Sequence, residues 1–205
     1  MDRRTTLKWV LAAGAAWPLR GNGAARAGSP LAAHGYGTDP DLLKNYRAGE
    51  LWPLTLTPAQ RRLAGILSDL IIPADEHSPS ASAVGVVEFI DEWVSAPYPT
   101  HRRDRTVVLD GFKWLDAEAG IRFGKQFANL DAGGQAGICD DVCDASRAAP
   151  ARLDAAHFFA LYRDLTAGGF YTTPAGRKDL NYIGNVPLAS FEGPPPALLK
   201  ALGLS

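Results

Sequence analysis

Apolar side chains recur at intervals of three and four residues along several stretches of the chain, which places them on one face of an α-helix. The clearest stretch begins at Thr57, which can cap a helix. Pro58 then suits the first helical position, and Gln60 completes a capping box. Pro73 ends the stretch, because proline cannot continue a helix. Its apolar positions are Leu63, Ile66, Leu67, Leu70 and Ile71.

Four further stretches carry the same spacing, so we predict a small all-α domain of about five helices. We expect the second helix to bury Trp93 and the third to turn Ile121 inward, while three glycines weaken the fourth. Alternation of apolar and polar residues between hairpin turns is missing from the sequence. The predicted ranges are 83–94, 102–123, 135–146 and 153–166, with a short terminal helix at 197–202.

Two regions outside these helices lack a helical period and yet carry leucine and aromatic side chains. Residues 28–55 predict an extended arm, which is too apolar for a free linker and should lie along a surface of its own domain or of a partner. Residues 168–185 combine glycine with aromatic residues and predict a long irregular segment that forms an interface, although its aromatic side chains could instead be core or line a pocket. The predicted interface residues are Tyr46, Trp52, Phe170, Tyr171, Tyr182 and Asn185.

The chain begins with the features of an export signal. A pair of arginines precedes a leucine, a lysine and a short apolar stretch. Two alanines separated by a single residue then form the pattern after which signal peptidases cleave. The paired arginines favour the twin-arginine route. The apolar stretch is about half of the roughly 20 residues that a membrane-spanning helix needs. The predicted signal residues are Arg3, Arg4, Leu7, Lys8, Ala25 and Ala27.

Cleavage after residue 27 divides the chain into a signal (1–27), the arm (28–55) and a helical domain (56–205). The mature chain then carries 16 basic and 21 acidic side chains, a net charge of −5. Negative charge disfavours nucleic acid and anionic membrane surfaces as partners. The export signal predicts a periplasmic protein. Because the sequence shows no second long apolar stretch, we expect any membrane association to come through a partner.

Most sequence motifs that indicate catalysis or cofactor binding are missing from the sequence. It has no glycine-rich dinucleotide or phosphate loop, no C-x-x-C-H haem attachment motif and no cysteine cluster for iron–sulfur ligation, so we expect no cofactor in this chain. The best group of acid–base side chains is Asp75, Glu76 and His77, which could support general acid–base catalysis. We favour a structural interpretation, because acidic residues ahead of a helix stabilise its N-terminus.

Cys139 and Cys143 are the only cysteines, and their spacing places both on one face of a helix. A bridge between them would distort that helix, because disulfide geometry is narrow. Three interpretations stay open: a local disulfide, two buried inert thiols, or a bridge from one of them to another chain.

The order of several motifs resembles the gluconate 2-dehydrogenase subunit 3 family, the small or gamma subunits of flavin-dependent sugar and sugar-acid dehydrogenases. After the twin-arginine start these motifs are LSDLIIPAD (67–75), VGV (84–86), FID (89–91), GFYT (169–172) and KDLNYIGN (178–185). They extend over most of the mature chain. Asn181 stands where the pattern leads us to expect glycine.

The resemblance implies a non-catalytic subunit in a periplasmic complex. A large subunit of the glucose-methanol-choline type would carry FAD and oxidise the sugar, and a cytochrome c subunit would often pass electrons onward. The small subunit's signal would bring the flavoprotein through the twin-arginine translocase, and the subunit would then stabilise it. The alternatives are a free-standing periplasmic enzyme or ligand-binding protein that uses the Asp75–His77 loop, and a cytoplasmic export chaperone whose signal stays uncut.

Overall fold

The computed structural model describes residues 46–182, 184, 190 and 193–204. Within these residues the chain forms seven α-helices and no strand, and five of the helices have seven residues or more, so the predicted all-α class is confirmed. The predicted signal and residues 28–45 of the arm lie outside this range. The helices are α1 (Pro58–Ile71), α2 (Val86–Ser95), α3 (Pro99–Phe123), α4 (Ala132–Asp140), α5 (Leu153–Tyr171), α6 (Pro174–Asp179) and α7 (Pro196–Ala201).

Helix α1 begins with the predicted capping box. The Thr57 hydroxyl accepts a hydrogen bond from the Gln60 backbone N–H at 3.3 Å, and the Gln60 side chain accepts one from the Thr57 N–H at 2.9 Å. These bonds satisfy N–H groups that have no partner inside the helix. The buried residues of α1 are Leu63, Ala64, Leu67, Ser68 and Ile71.

The core forms where α3 and α5 cross, with α2 packed against both and α1 packed against α2 and α5. At the crossing point a Cβ on Gly111 would lie 2.0 Å from Phe158 Cγ, so only glycine allows this approach. Phe112 makes edge-to-face contacts with Phe158 and Tyr162, at centroid distances of 6.0 and 5.7 Å. The buried Tyr162 hydroxyl donates to the Ala64 carbonyl at 2.8 Å. Aromatic packing and one satisfied hydroxyl thus join three helices.

Helix α3 begins three residues before the predicted start, and the expectation that Ile121 turns inward is wrong. Its side chain is 80% exposed. The buried stripe of α3 passes through Leu115 and Ala119. At about 100° per residue, position 121 lies roughly opposite Ala119, which explains the exposure.

Helix α4 is shifted from its predicted range and ends at Asp140 instead of residue 146. Asp131 caps it by accepting from the Gly134 N–H at 2.8 Å. Beyond its end the Asp144 carboxylate accepts from the Ser146 N–H at 2.9 Å and from the Ser146 hydroxyl at 2.7 Å. Such local bonds compete with helical ones, and they explain the early end.

The prediction of a long irregular segment from residue 168 is wrong for most of its length. Helix α5 continues through Gly168 and Gly169 to Tyr171, and α6 follows after two residues. A Cβ on Gly169 would lie 2.8 Å from Phe89 Cδ1, so this glycine allows α5 to approach α2 closely. Its role is close packing and not an irregular backbone.

The turn that follows α6 explains the asparagine in the late motif. Asn181 has φ +53°, the left-handed region that glycine adopts most easily and that asparagine tolerates better than most other residues. The Asn181 N–H donates to the Lys178 carbonyl at 3.0 Å, and the Tyr182 N–H donates to the Arg177 carbonyl at 2.9 Å. Asn181 therefore adopts the left-handed backbone conformation that a glycine would adopt in this turn.

Candidate partner-binding surfaces

A buried carboxylate binds the described end of the arm to α2. The Asp91 side chain is fully buried, and its Oδ1 accepts from the N–H groups of Thr55 at 3.2 Å and Leu56 at 3.0 Å. Its Oδ2 accepts from Arg61 Nη1 at 2.6 Å. A buried charge is tolerated when it is both paired and hydrogen-bonded, as this one is. The end of the arm therefore lies on its own domain.

Glu92 fixes a second part of the arm. Its Oε2 accepts from the Gly49 N–H at 2.8 Å, and its backbone carbonyl accepts from Trp52 Nε1 at 3.2 Å. The Trp52 ring meets the Tyr98 ring edge to face at 6.2 Å. The hydrogen bond at Nε1 and the ring contact with Tyr98 together fix the orientation of the Trp52 side chain, so Trp52 is a rigid part of this surface.

Between the arm and the α2–α3 corner lies an open cleft of about 620 Å³, called the aromatic cleft below. This volume falls in the range of small-molecule and side-chain sites. Its charged lining consists of Arg47, Glu88 and Glu92. Its aromatic lining consists of Tyr46, Trp52, Phe89, Trp93, Tyr98 and His101.

The far wall of the cleft is a stack of rings. His101 lies on Trp93 with a centroid distance of 4.2 Å, and Tyr98 lies 5.4 Å from His101. Trp93 Nε1 donates to Asp104 at 2.9 Å. Burial lowers the pKa of His101 below its ordinary value of 6.5, and the Asp104 charge opposes this shift. The imidazole is therefore neutral at neutral pH.

The structure brings together two of the predicted interface residues, Tyr46 and Trp52, in this cleft. The sequence reasoning missed the contributions of Tyr98 and His101. It also assigned Trp93 to the buried stripe of α2, whereas the residue is only partly buried and lines the cleft. The segment Pro97-Tyr98-Pro99 carried the available signal, because a tyrosine between two prolines has little conformational freedom.

The predicted interface residues near the C-terminus lie in different environments in the structure. Phe170 is fully buried in the core of this chain and offers no surface to a partner, and Tyr171 is partly buried and meets it edge to face at 5.1 Å. Tyr182 is 59% exposed. Asn185 lies outside the described residues. Among the described residues of this end, the other large exposed apolar side chains are Leu180, Leu198, Leu202 and Leu204.

Comparison with known families identifies the chain. The model of gluconate 2-dehydrogenase subunit 3 matches residues 58–190, more than half of the chain and all of α1 to α6. The chain belongs to the gluconate 2-dehydrogenase subunit 3 family. The comparisons with curated proteins and with solved structures gave no significant match.

In this subunit 3 family member the two cysteines are free thiols. Burial raises the pKa of Cys139 to about 12, with smaller contributions from Asp140 and Cys143. Burial also raises the pKa of Cys143, whose Sγ donates to the Asp140 carbonyl at 3.3 Å. Both thiols are protonated at neutral pH and are weak nucleophiles as they stand. A bridge from one of them to another chain stays a prediction.

The Asp75–His77 loop of this family member has the geometry of a turn. Asp75 Oδ1 accepts from the His77 N–H at 2.8 Å and from the Ser78 N–H at 2.9 Å. Glu76 and His77 point outward, with side chains 84% and 74% exposed and 3.3 Å apart. These contacts hold the loop as a turn. The expected stabilisation of a following helix start comes from another residue, because the Ser82 N–H donates to Asp69 at 2.8 Å.

Two searches of the described residues gave negative results. Nowhere in residues 46–182, or in the shorter described pieces after them, do three or more His, Cys, Asp or Glu side chains converge to hold a metal ion. Over the same part of the chain, every helix is too short or too polar to span a bilayer.

Proposed function

We propose that this chain is the non-catalytic small subunit of a periplasmic FAD-dependent dehydrogenase complex that oxidises a sugar or a sugar acid. The observation that carries the proposal is the family match over residues 58–190. The proposal assigns FAD to a large subunit of the glucose-methanol-choline type. It assigns haem to a membrane-bound cytochrome c subunit, where one is present, and no cofactor to this chain.

In this proposal the chain also acts as an export escort. The signal of residues 1–27, with Arg3 and Arg4 as its recognised pair, carries a folded complex through the twin-arginine translocase. The flavoprotein needs no signal of its own, because it crosses while bound to the small subunit. After export the small subunit remains attached and stabilises the flavoprotein, since binding to the folded state favours that state.

Two surfaces support such a role. The aromatic cleft offers a concave surface with fixed walls, and the exposed apolar side chains after α6 offer further apolar area. Tryptophan, tyrosine and arginine side chains in desolvated pockets carry most of the binding energy at protein interfaces, which favours the aromatic cleft over the leucine-rich surface.

The test is a pull-down of the chain, tagged at Ser205, from the periplasm of its host. We expect a yellow flavoprotein to co-purify and to oxidise a sugar or sugar acid with an artificial electron acceptor. Replacing Arg3 and Arg4 by lysine should remove both proteins from the periplasm together. The matched control is replacement of Arg102 and Arg103, an arginine pair in α3 of the mature domain, which should leave export unchanged.

Recovery of a colourless chain without a flavoprotein would contradict the proposal. A flavoprotein that still reached the periplasm after the Arg3 and Arg4 replacement would contradict the escort role alone. These two outcomes separate the subunit assignment from the export assignment.

A further inference from the structure

The aromatic cleft is preorganised. Trp52 is held by the Glu92 carbonyl, Trp93 by Asp104, and the backbone between residues 49 and 56 by Glu92 and Asp91. A site whose walls are already fixed loses little conformational entropy when a ligand enters. The fully buried Asp91 carboxylate is part of this support.

The charges in the cleft favour a cation. Glu88 and Glu92 stand one helical turn apart on α2 and both line the cleft. Each uses one carboxylate oxygen: Glu88 Oε1 accepts from Arg61 at 2.6 Å, and Glu92 Oε2 accepts from Gly49. Within the described residues, Oε2 of Glu88 and Oε1 of Glu92 have no hydrogen-bond partner. The Glu88 side chain is 52% exposed and therefore reachable.

Among organic cations, a guanidinium group matches this lining best. It is planar, stacks on aromatic faces and presents several N–H donors in a fixed fork that can join two carboxylate oxygens. A lysine ammonium is a strongly hydrated point charge and would gain less from the rings. Arg47 also lines the cleft, and Arg61 pairs with both Glu88 and the buried Asp91, so these two cations stand against three carboxylates. Within the described residues Glu92 belongs to no ion pair.

We propose that the aromatic cleft binds an arginine side chain presented by the flavoprotein subunit. The proposal rests on the proposed function, because it names a contact within that complex. The net charge of −5 on the mature chain favours a basic partner surface by electrostatic steering. The arginine stacks between the ring walls, and its N–H groups donate to Glu88 and Glu92.

The first experiment compares complexes purified through the Ser205 tag and washed at about 0.15 M salt, where charges are screened beyond ~8 Å. The test variant combines Glu88→Gln with Glu92→Gln. The glutamine oxygens can still accept from Arg61 and Gly49, so the fold should persist, which a thermal melt checks. We expect the flavin retained per chain to fall at least about tenfold. The matched control is Glu76→Gln, whose exposed carboxylate lies outside the cleft and whose loss should change nothing.

The second experiment uses arginine methyl ester as the probe and lysine methyl ester as its comparison. Trp114 is the one tryptophan after residue 27 that lies outside the cleft, so Trp114→Phe leaves Trp52 and Trp93 to report binding by fluorescence. We expect the arginine ester to change this fluorescence and to release the flavoprotein at lower concentration than the lysine ester. The fluorescence change should disappear when Glu88→Gln and Glu92→Gln are combined, and an unchanged response in that variant would overturn the cleft contact.

The outcomes separate this inference from the proposed function. Equal flavin retention by the wild type and the double variant overturns the cleft contact and leaves the subunit assignment intact. An equal loss with Glu76→Gln also overturns it, because the effect is then one of overall charge. If the wild-type chain retains no flavoprotein, the inference and the proposed function fall together.

Discussion

The two ends of the described domain contrast in how they meet the core. The sequence predicts an apolar, irregular, partner-facing region at each end. The arm end, residues 46–57, is bound to α2 by hydrogen bonds from its Thr55 and Leu56 N–H groups to the buried Asp91 carboxylate, which also pairs with Arg61 of α1. The part after α6 contributes none of the described core residues and exposes Tyr182 and four leucines.

The contrast shows that apolar composition alone does not decide what a segment contacts. The arm end has polar anchors within reach, above all Asp91 and Glu92, and these determine where its Trp52 ring lies. The described residues after Asn181 make mainly short-range backbone bonds, such as that from the Leu202 N–H to the Leu198 carbonyl at 3.0 Å. The arm end is therefore held rigidly on the core, whereas the described apolar side chains after α6 remain exposed.

The largest expected effect comes from the anchor of the arm. Asp91→Ala leaves Arg61 without its buried partner and removes the acceptor of two backbone N–H groups. We expect a loss of about 3 kcal/mol in the free energy of unfolding, measured by urea denaturation. Amide exchange at Thr55 and Leu56 should become much faster.

The matched control is Asp110→Ala, which removes an exposed ion pair with Lys113. We expect it to change stability by less than about 1 kcal/mol. Equal effects of the two substitutions would show that Asp91 does not anchor the arm.

The next effect concerns the junction between the core and the late segment. A Cβ on Gly176 would lie 2.2 Å from the Phe170 carbonyl oxygen, which is backbone and cannot rotate away. We expect Gly176→Ala to cost about 1–3 kcal/mol in thermal or urea unfolding. Gly137→Ala is the control, because a Cβ there meets nothing within 4 Å, and it should stabilise α4 by about 0.5–1 kcal/mol. A neutral Gly176→Ala would mean that α6 does not pack on α5 as described.

A smaller effect on stability is expected at the exposed end. Leu198 and Leu202 are 48% and 51% exposed, so replacing both by alanine should change the free energy of unfolding by less than about 0.5 kcal/mol. The same change at the fully buried Leu67 should cost about 2–5 kcal/mol. If the Leu198 and Leu202 side chains contact the flavoprotein, their double variant should still retain less flavin in the pull-down. Large destabilisation of the isolated chain would show that these leucines are core.

The sequence was most informative where local rules act alone. The capping box at Thr57, the proline at residue 73 and the apolar stripe of α1 predicted that helix almost to the residue. It was least informative where a distant neighbour decides the outcome. Glycines 168 and 169 indicated an irregular backbone, but the Phe89 ring on α2 makes Gly169 a packing position inside a helix.

The candidate site shows the same limit. Tyr46 and Trp52 could be singled out because they are aromatic residues in a segment without helical period. The other wall of the cleft depends on the α2–α3 corner, which brings Tyr98 and His101 close to them. Asp91 gave no sign of its role, because its partners at residues 55, 56 and 61 are 30 to 36 positions away.

The smallest expected effect is a pH dependence of the cleft. Because burial lowers the pKa of His101 in the folded state, the unfolded chain takes up a proton more readily between that lowered value and 6.5. Stability should therefore fall as the pH drops through this window, with Asp104 moderating the effect.

We expect His101→Phe, which keeps a ring on Trp93, to show a smaller decrease of Tm between about pH 7.5 and pH 5 than the wild type. His77→Gln, on the exposed loop, should leave the wild-type decrease unchanged. An identical pH dependence in all three proteins would show that the ring stack does not oppose protonation, and the cleft would then be more open to water than its ring contacts indicate.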